Sequence, residues 1–310
     1  MYLQKINKAI CIACVAVFSL LQSSGVLANS ANDIFYSGFN YLYHFQFAKA
    51  DSVAKQLKKQ FPTDPLSYIF SANCNWWKII SGESDEMYKK NFYDELNYSL
   101  QYLKIKDDNH LTYDDIFNYI NVYSYYARID LMEGNYFKAL KQIDNFIDYQ
   151  KKSFGKEALY PPFNLTSGLY NYTIPYSIKH YPFLVPSLLF VPGGDQDLGL
   201  KQLTLAALST DILVKTEAHY FLMKIYTDMA ENYSLASAHA EYLINAYSDN
   251  LLYRYYYFEL LVKQKKYPQA EQQMNMIKQY SNNKELSANQ KNYFTNLVVS
   301  EWEKVAETQK

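Results

Sequence analysis

Glycine and proline are scarce, nine of each in 310 residues, and cysteine occurs only three times. So little of the first two excludes collagen-like, linker-like and low-complexity chains. Cys11 and Cys14 fall within the first 28 residues, so removal of that stretch leaves Cys74 alone and no internal disulfide. Stability must then come from packing. An excess of one charge is also missing: 30 Lys and Arg stand against 31 Asp and Glu, for a net charge of −1. That balance offers no electrostatic footprint for nucleic acid or for an anionic membrane surface. What the chain has in quantity is aromatic side chains, 33 Tyr, 18 Phe and 3 Trp. These contents predict a folded, helical protein with a large core.

The opening residues read as a secretory signal. Lys5 and Lys8 form a basic start, Ala9 to Leu21 is mostly apolar, and Val26-Leu27-Ala28 places small residues where a signal peptidase needs them, which predicts cleavage after Ala28. The apolar run is shorter than the roughly 20 residues that cross a bilayer. Cys14 lacks the Leu-like residue expected three positions before a lipid-bearing cysteine. Cleavage takes two bases and no acid, leaving residues 29–310 slightly more acidic. No later stretch combines spanning length with freedom from proline. The expected location is the periplasm or the outer membrane, or outside the cell.

A helical repeat follows. Tyr267, Ala270, Met274 and Ile277 place an aromatic, a small residue and two apolar residues on one helix face. The same pattern stands 34 residues earlier as Tyr233, Ala236, Ala240 and Leu243. It recurs as Tyr136, Ala139, Ile143 and Phe146, and as Phe47, Ala50, Ala54 and Leu57. Turn residues precede two copies, in Gly134-Asn135-Tyr136 and Lys266-Tyr267-Pro268. This resembles the tetratricopeptide repeat (TPR), a helix–turn–helix unit in which the small residue of the second helix lets the first approach closely. The resemblance implies an all-α, TPR-type solenoid of about a dozen helices over residues 29–310. The clearest repeats lie at about 33–64, 117–150, 217–249 and 251–283, with Ser287 to Ala306 as a capping helix.

The copies are not evenly spaced: Ala50 to Ala139 is 89 residues and Ala139 to Ala236 is 97. Leu66 to Ser81 and Glu86 to Lys106 predict a further helix pair in the first gap. The second gap holds Pro161, Pro162, Pro175, Pro182, Pro186 and Pro192, and predicts an irregular, non-repeat insert over about 156–196. Asp195 or Asp197 is placed to cap a helix from Leu198 to Thr210. The run Gly168-Leu169-Tyr170-Asn171-Tyr172, followed by Gly193-Gly194-Asp195-Gln196-Asp197-Leu198-Gly199-Leu200, resembles a segment of exported bacterial TPR proteins. That likeness imports no activity.

Chemistry-bearing patterns are sparse. The five His (His44, His110, His180, His219, His239) show no metal-ligand spacing, and Asp195 to Ala206 lacks the Glu that would close a calcium loop. Cys74, beside Trp76 and Trp77, reads as a buried structural thiol. Asp107-Asp108 and Asp114-Asp115 suit a helix start better than acid–base work. No phosphate loop or serine elbow occurs. The expectation is therefore a non-enzymatic protein without catalytic residue, cofactor or metal, acting as an interaction scaffold or adaptor of the cell envelope. Its concave face, lined by first helices, would take a peptide or protein partner. Candidate contact residues are Tyr119, Tyr123, Tyr126, Arg128, Tyr220, Arg254, Tyr255 and Tyr257, since tyrosine joins wide contact area to a polar tip. The apolar stretch Phe183 to Val191 suggests a second reading, an assembly factor in peripheral contact with the membrane. An enzyme with an unfamiliar site is the third.

Overall fold

The computed structural model describes residues 30–180 and 191–308, so the expected signal segment and all but Val191 of the apolar stretch lie outside the described residues. Among the described residues are thirteen α-helices and no strand. The first six are α1 (Ala31–Tyr43), α2 (Phe47–Gln60), α3 (Pro65–Ile80), α4 (Glu86–Leu103), α5 (Tyr113–Met132) and α6 (Tyr136–Ser153). The rest are α7 (Phe163–His180), α8 (Gln196–Ala207), α9 (Ile212–Asp228), α10 (Tyr233–Ala246), α11 (Leu251–Lys263), α12 (Tyr267–Tyr280) and α13 (Ala288–Thr308).

Short polar side chains set the helix starts. Ser30 and Thr112 form capping boxes with Asp33 and Asp115, while Asp64, Asp85, Asp195, Asp211, Asn232 and Asn250 accept hydrogen bonds from the first free backbone N–H groups. Second helices begin differently. The turns into α2, α6, α10 and α12 each pass through one left-handed residue two positions before the helix, namely Phe45, Gly134, Glu231 and Lys265. In three of them the following amide bonds back to the carbonyl five residues earlier, as Gln46 to Tyr41, Asn135 to Asp130 and Lys266 to Leu261. That closure satisfies the last carbonyls of the first helix.

Consecutive helices pack as antiparallel pairs, α1 with α2 through α11 with α12, and α13 lies against both members of the last pair. Ala50, Ala139, Ala236 and Ala270, on α2, α6, α10 and α12, have no exposed surface. The first helices also touch along the stack, α1 with α3, α3 with α5 and α11 with α13. The stack does not stay open. α1 meets α9, the Asn250 side chain donates to the Tyr43 carbonyl at 2.9 Å, and His44 Nδ1 lies 2.6 Å from Asp249 Oδ1. Farther along, Phe45 packs its ring 5.9 Å from that of Phe294, and Gln290 donates to Ser81 Oγ at 2.7 Å. A Cβ added at Gly82 would lie 2.4 Å from Tyr293 Cβ, so the two ends approach as closely as glycine permits.

The insert departs from expectation. Residues 163–180 form an 18-residue helix, α7, with Pro175 inside it. Pro161 and Pro162 stand just ahead of the helix, where a missing N–H costs nothing. α7 binds α8 through glycines: a Cβ at Gly199 would meet the Tyr172 amide nitrogen at 2.7 Å. Together with α9 and the start of α5 they enclose a second, smaller apolar cluster around Phe163, Leu203, Val214 and Leu222.

Candidate inner chamber

Because the pairs curl and close, the first helices α3, α5, α9 and α11, with α13, turn one face inward onto a shared chamber of about 610 Å³. Its walls are ring faces: Trp76 and Trp77 from α3, Tyr220 and Phe221 from α9, Tyr253, Tyr255 and Tyr256 from α11, and Tyr293 from α13. Leu131 and Met132, 49% and 59% exposed at the end of α5, form an apolar rim with Tyr293. A narrower cleft of about 70 Å³ continues inward between α1, α5 and α7. Arg128, Glu217 and Phe221 line both spaces and so mark the neck between them.

Among the described residues, the charged groups lining the chamber are Arg128 and Glu217. The Arg128 guanidinium sits 4.9 Å from the Phe221 ring centre and 5.3 Å from that of Tyr125. Ring faces attract a cation without neutralising it. Among the described residues Arg128 has no hydrogen-bond acceptor within 3.5 Å and no carboxylate within 4.0 Å. Glu217 Oε1 receives a long hydrogen bond, 3.5 Å, from the Tyr43 hydroxyl. Burial pushes the Glu217 carboxyl above the ordinary range, opposed by Arg128 and by Tyr43. The same burial and the charge of Glu217 push the Tyr43 and Tyr253 phenols far up, so both remain neutral donors.

The eight residues singled out by sequence separate. Arg128, Tyr220 and Tyr255 line the chamber. Tyr119 and Tyr123 stack instead on Tyr149 of α6, with ring centres 3.9 Å and 5.9 Å apart, and Tyr126 donates to Asn97 of α4 at 2.6 Å. Arg254 is 4% exposed and ties α11 to α12, donating to the Ser248 carbonyl at 2.5 Å and to Gln273 at 3.0 Å. Tyr257 donates to Glu241 of α10 at 3.1 Å. Trp76, Trp77, Glu217, Phe221, Tyr253 and Tyr256 were missed. Glu217 does stand one helical turn before Tyr220, the one local sign of a shared face.

The other chemistry-bearing residues are held structurally. Cys74 is 2% exposed and burial pushes its thiol up. Asp115 closes the capping box of α5 and pairs with Lys106 at 2.5 Å, while Asp114 accepts from Tyr160 at 2.6 Å. Asp195 caps α8. His219 and His239 bring their Nδ1 atoms to 3.0 Å across the α9–α10 pair, and His219 stacks on Tyr242 at 3.7 Å. Among the described residues no three His, Cys, Asp or Glu are grouped to hold a metal ion, and no helix is long and apolar enough to cross a membrane.

No protein-family model, curated protein or solved structure matches the chain.

Proposed function

We propose that this chain is an exported, non-enzymatic TPR-type protein of the cell envelope that holds a segment of a protein partner in its inner chamber. The repeat assignment is supported by four wholly buried alanines at matching places and by left-handed turn residues at a fixed offset before four second helices. The observation that carries the binding assignment is the chamber itself: a space of about 610 Å³, lined by aromatic side chains, with an apolar rim and a guanidinium that no described carboxylate pairs with at close range. Spaces of roughly 300–1,000 Å³ with apolar walls and few polar groups are the usual form of a binding site, and Tyr and Trp supply most of the contact energy where partners meet. Export is supported by the basic, apolar and small-residue succession of Lys5 to Ala28.

The test is site-specific photo-crosslinking in intact cells. A crosslinker at Leu131 or Met132, on the rim, should trap one dominant protein partner, and the trapped partner should be lost when Phe221→Glu places a charge in the wall. The same crosslinker at Leu205 or Leu208, exposed on α8 and its end, should trap nothing in common with it. Equal trapping from both faces, or trapping insensitive to Phe221→Glu, would overturn the assignment.

A further inference from the structure

The chamber is charged in an unusual way. The Arg128 guanidinium meets only the Tyr125 and Phe221 rings. Arg128 is half-buried, and its N–H donors have no protein acceptor, so they are open to one that arrives with a ligand. Beside them Glu217 is a switchable charge. The titratable or charged groups around it are Tyr43 of α1, Tyr125 and Arg128 of α5, Tyr220 of its own helix and Tyr253 of α11. Apart from Arg128 these are all phenols. At the neck an incoming anion would be attracted by Arg128 and opposed by Glu217, with Glu259 farther off behind Tyr255, Tyr256 and Tyr293, and Glu217 removes its opposition by taking a proton.

We infer that the segment held in the chamber carries one side-chain carboxylate within an apolar stretch, the carboxylate received by Arg128 at the neck and the apolar part by Trp76, Trp77, Tyr220 and Tyr256. This rests on the inner chamber being the binding face. Charge complementarity selects the occupant: a cationic segment would have to displace the Tyr43 hydroxyl from Glu217 and sit against Arg128, while a neutral one would leave the guanidinium without an acceptor. Uptake of a proton by Glu217 accompanies binding wherever Glu217 is ionised in the free protein. Affinity then rises as the pH falls toward the range in which the peptide carboxylate itself protonates, roughly 4.

The probe is a pool of acetylated tetrapeptide amides with Glu at the third position and Leu, Phe or Tyr elsewhere. It is set against the matching Gln pool and against 3-phenylpropionate, all by equilibrium dialysis with the purified protein. Glu peptides should be retained about tenfold more strongly than their Gln counterparts, the worth of one charge-assisted bond, and more strongly at pH 5.5 than at pH 7.5. Arg128→Met should erase the preference for Glu, and Arg128→Lys should restore part of it. Glu217→Gln should strengthen retention at pH 7.5 and flatten the pH dependence, an outcome that a merely structural carboxylate would not give. Equal retention of the Glu and Gln pools, or weaker binding in Glu217→Gln, overturns the inference. Retention of 3-phenylpropionate without any peptide overturns it in favour of a free acid. If no peptide is held while the rim crosslinks persist, this inference falls and the binding face stands; loss of both removes the reading beneath it.

Discussion

Single residues here are placed by partners that sequence distance conceals. Arg128 and Glu217 are 89 positions apart, and only the curl of the stack brings them to one neck. The His219–His239 pair makes the same point with a measurable consequence. Burial, then the neighbouring His239 and Lys215, pushes His219 down to about 4, and burial lowers His239 as well. The folded state therefore binds fewer protons than the unfolded chain between about pH 4 and the ordinary histidine value near 6.5, so stability is full above that value and falls as the pH drops through the window. Urea midpoints of the wild type should decline from pH 7 to pH 4.5, and His219→Gln should show a visibly smaller decline. An equal decline in both would assign the acid sensitivity elsewhere.

Helices and turns were the most legible features, because their causes lie within a few residues. Asp195 and the aromatic-plus-small pattern at Tyr233/Ala236 and Tyr267/Ala270 announce caps and close-packed faces directly. The turns carry a cost that sequence shows only in part. Gly134 suits its left-handed position, but Phe45, Glu231 and Lys265 occupy the same conformation with side chains, at φ of 52°, 49° and 58°. Such a residue gives up roughly 1 kcal/mol relative to glycine. Lys265 is exposed, so Lys265→Gly should raise unfolding stability by about 0.5–1 kcal/mol, offset in part by the freer unfolded chain. Chemical denaturation reads this directly, and a loss of stability would show that Lys265 makes a contact worth more than its strain. The described part of the insert is more regular than its proline content predicts, for an element-scale reason. Proline count suggested irregularity, yet Pro161 and Pro162 fall before the helix and Pro175 is tolerated inside α7. The glycines at 168 and 199, which let α7 and α8 touch backbone to backbone, outweigh the interruption.

At the scale of the whole molecule, closure is the feature no segment declares. It depends on Phe45 and Phe294, both without exposed surface, and on the polar contacts His44–Asp249 and Gln290–Ser81 that flank the seam. Phe294→Ala should cost about 3–5 kcal/mol, the usual price of emptying a large aromatic site. Because Phe294 joins both ends of the stack, the loss should be accompanied by faster amide exchange in α1 as well as in α13. Faster exchange confined to α13 would mean that the ends fold independently.

The amino-acid order alone determined the all-helical class, the position of nearly every described helix and the small residues on which the pairs close, since each depends on capping, turn chemistry or spacing within one or two helical turns. It did not determine how far the stack bends. That angle accumulates from slight rotations between successive pairs, each set by many side chains at once. Only the tertiary structure therefore decided that the ends meet, that Tyr119, Tyr123, Tyr126 and Arg254 hold neighbouring helices together, and that Trp76, Trp77, Arg128 and Glu217 line one shared recess.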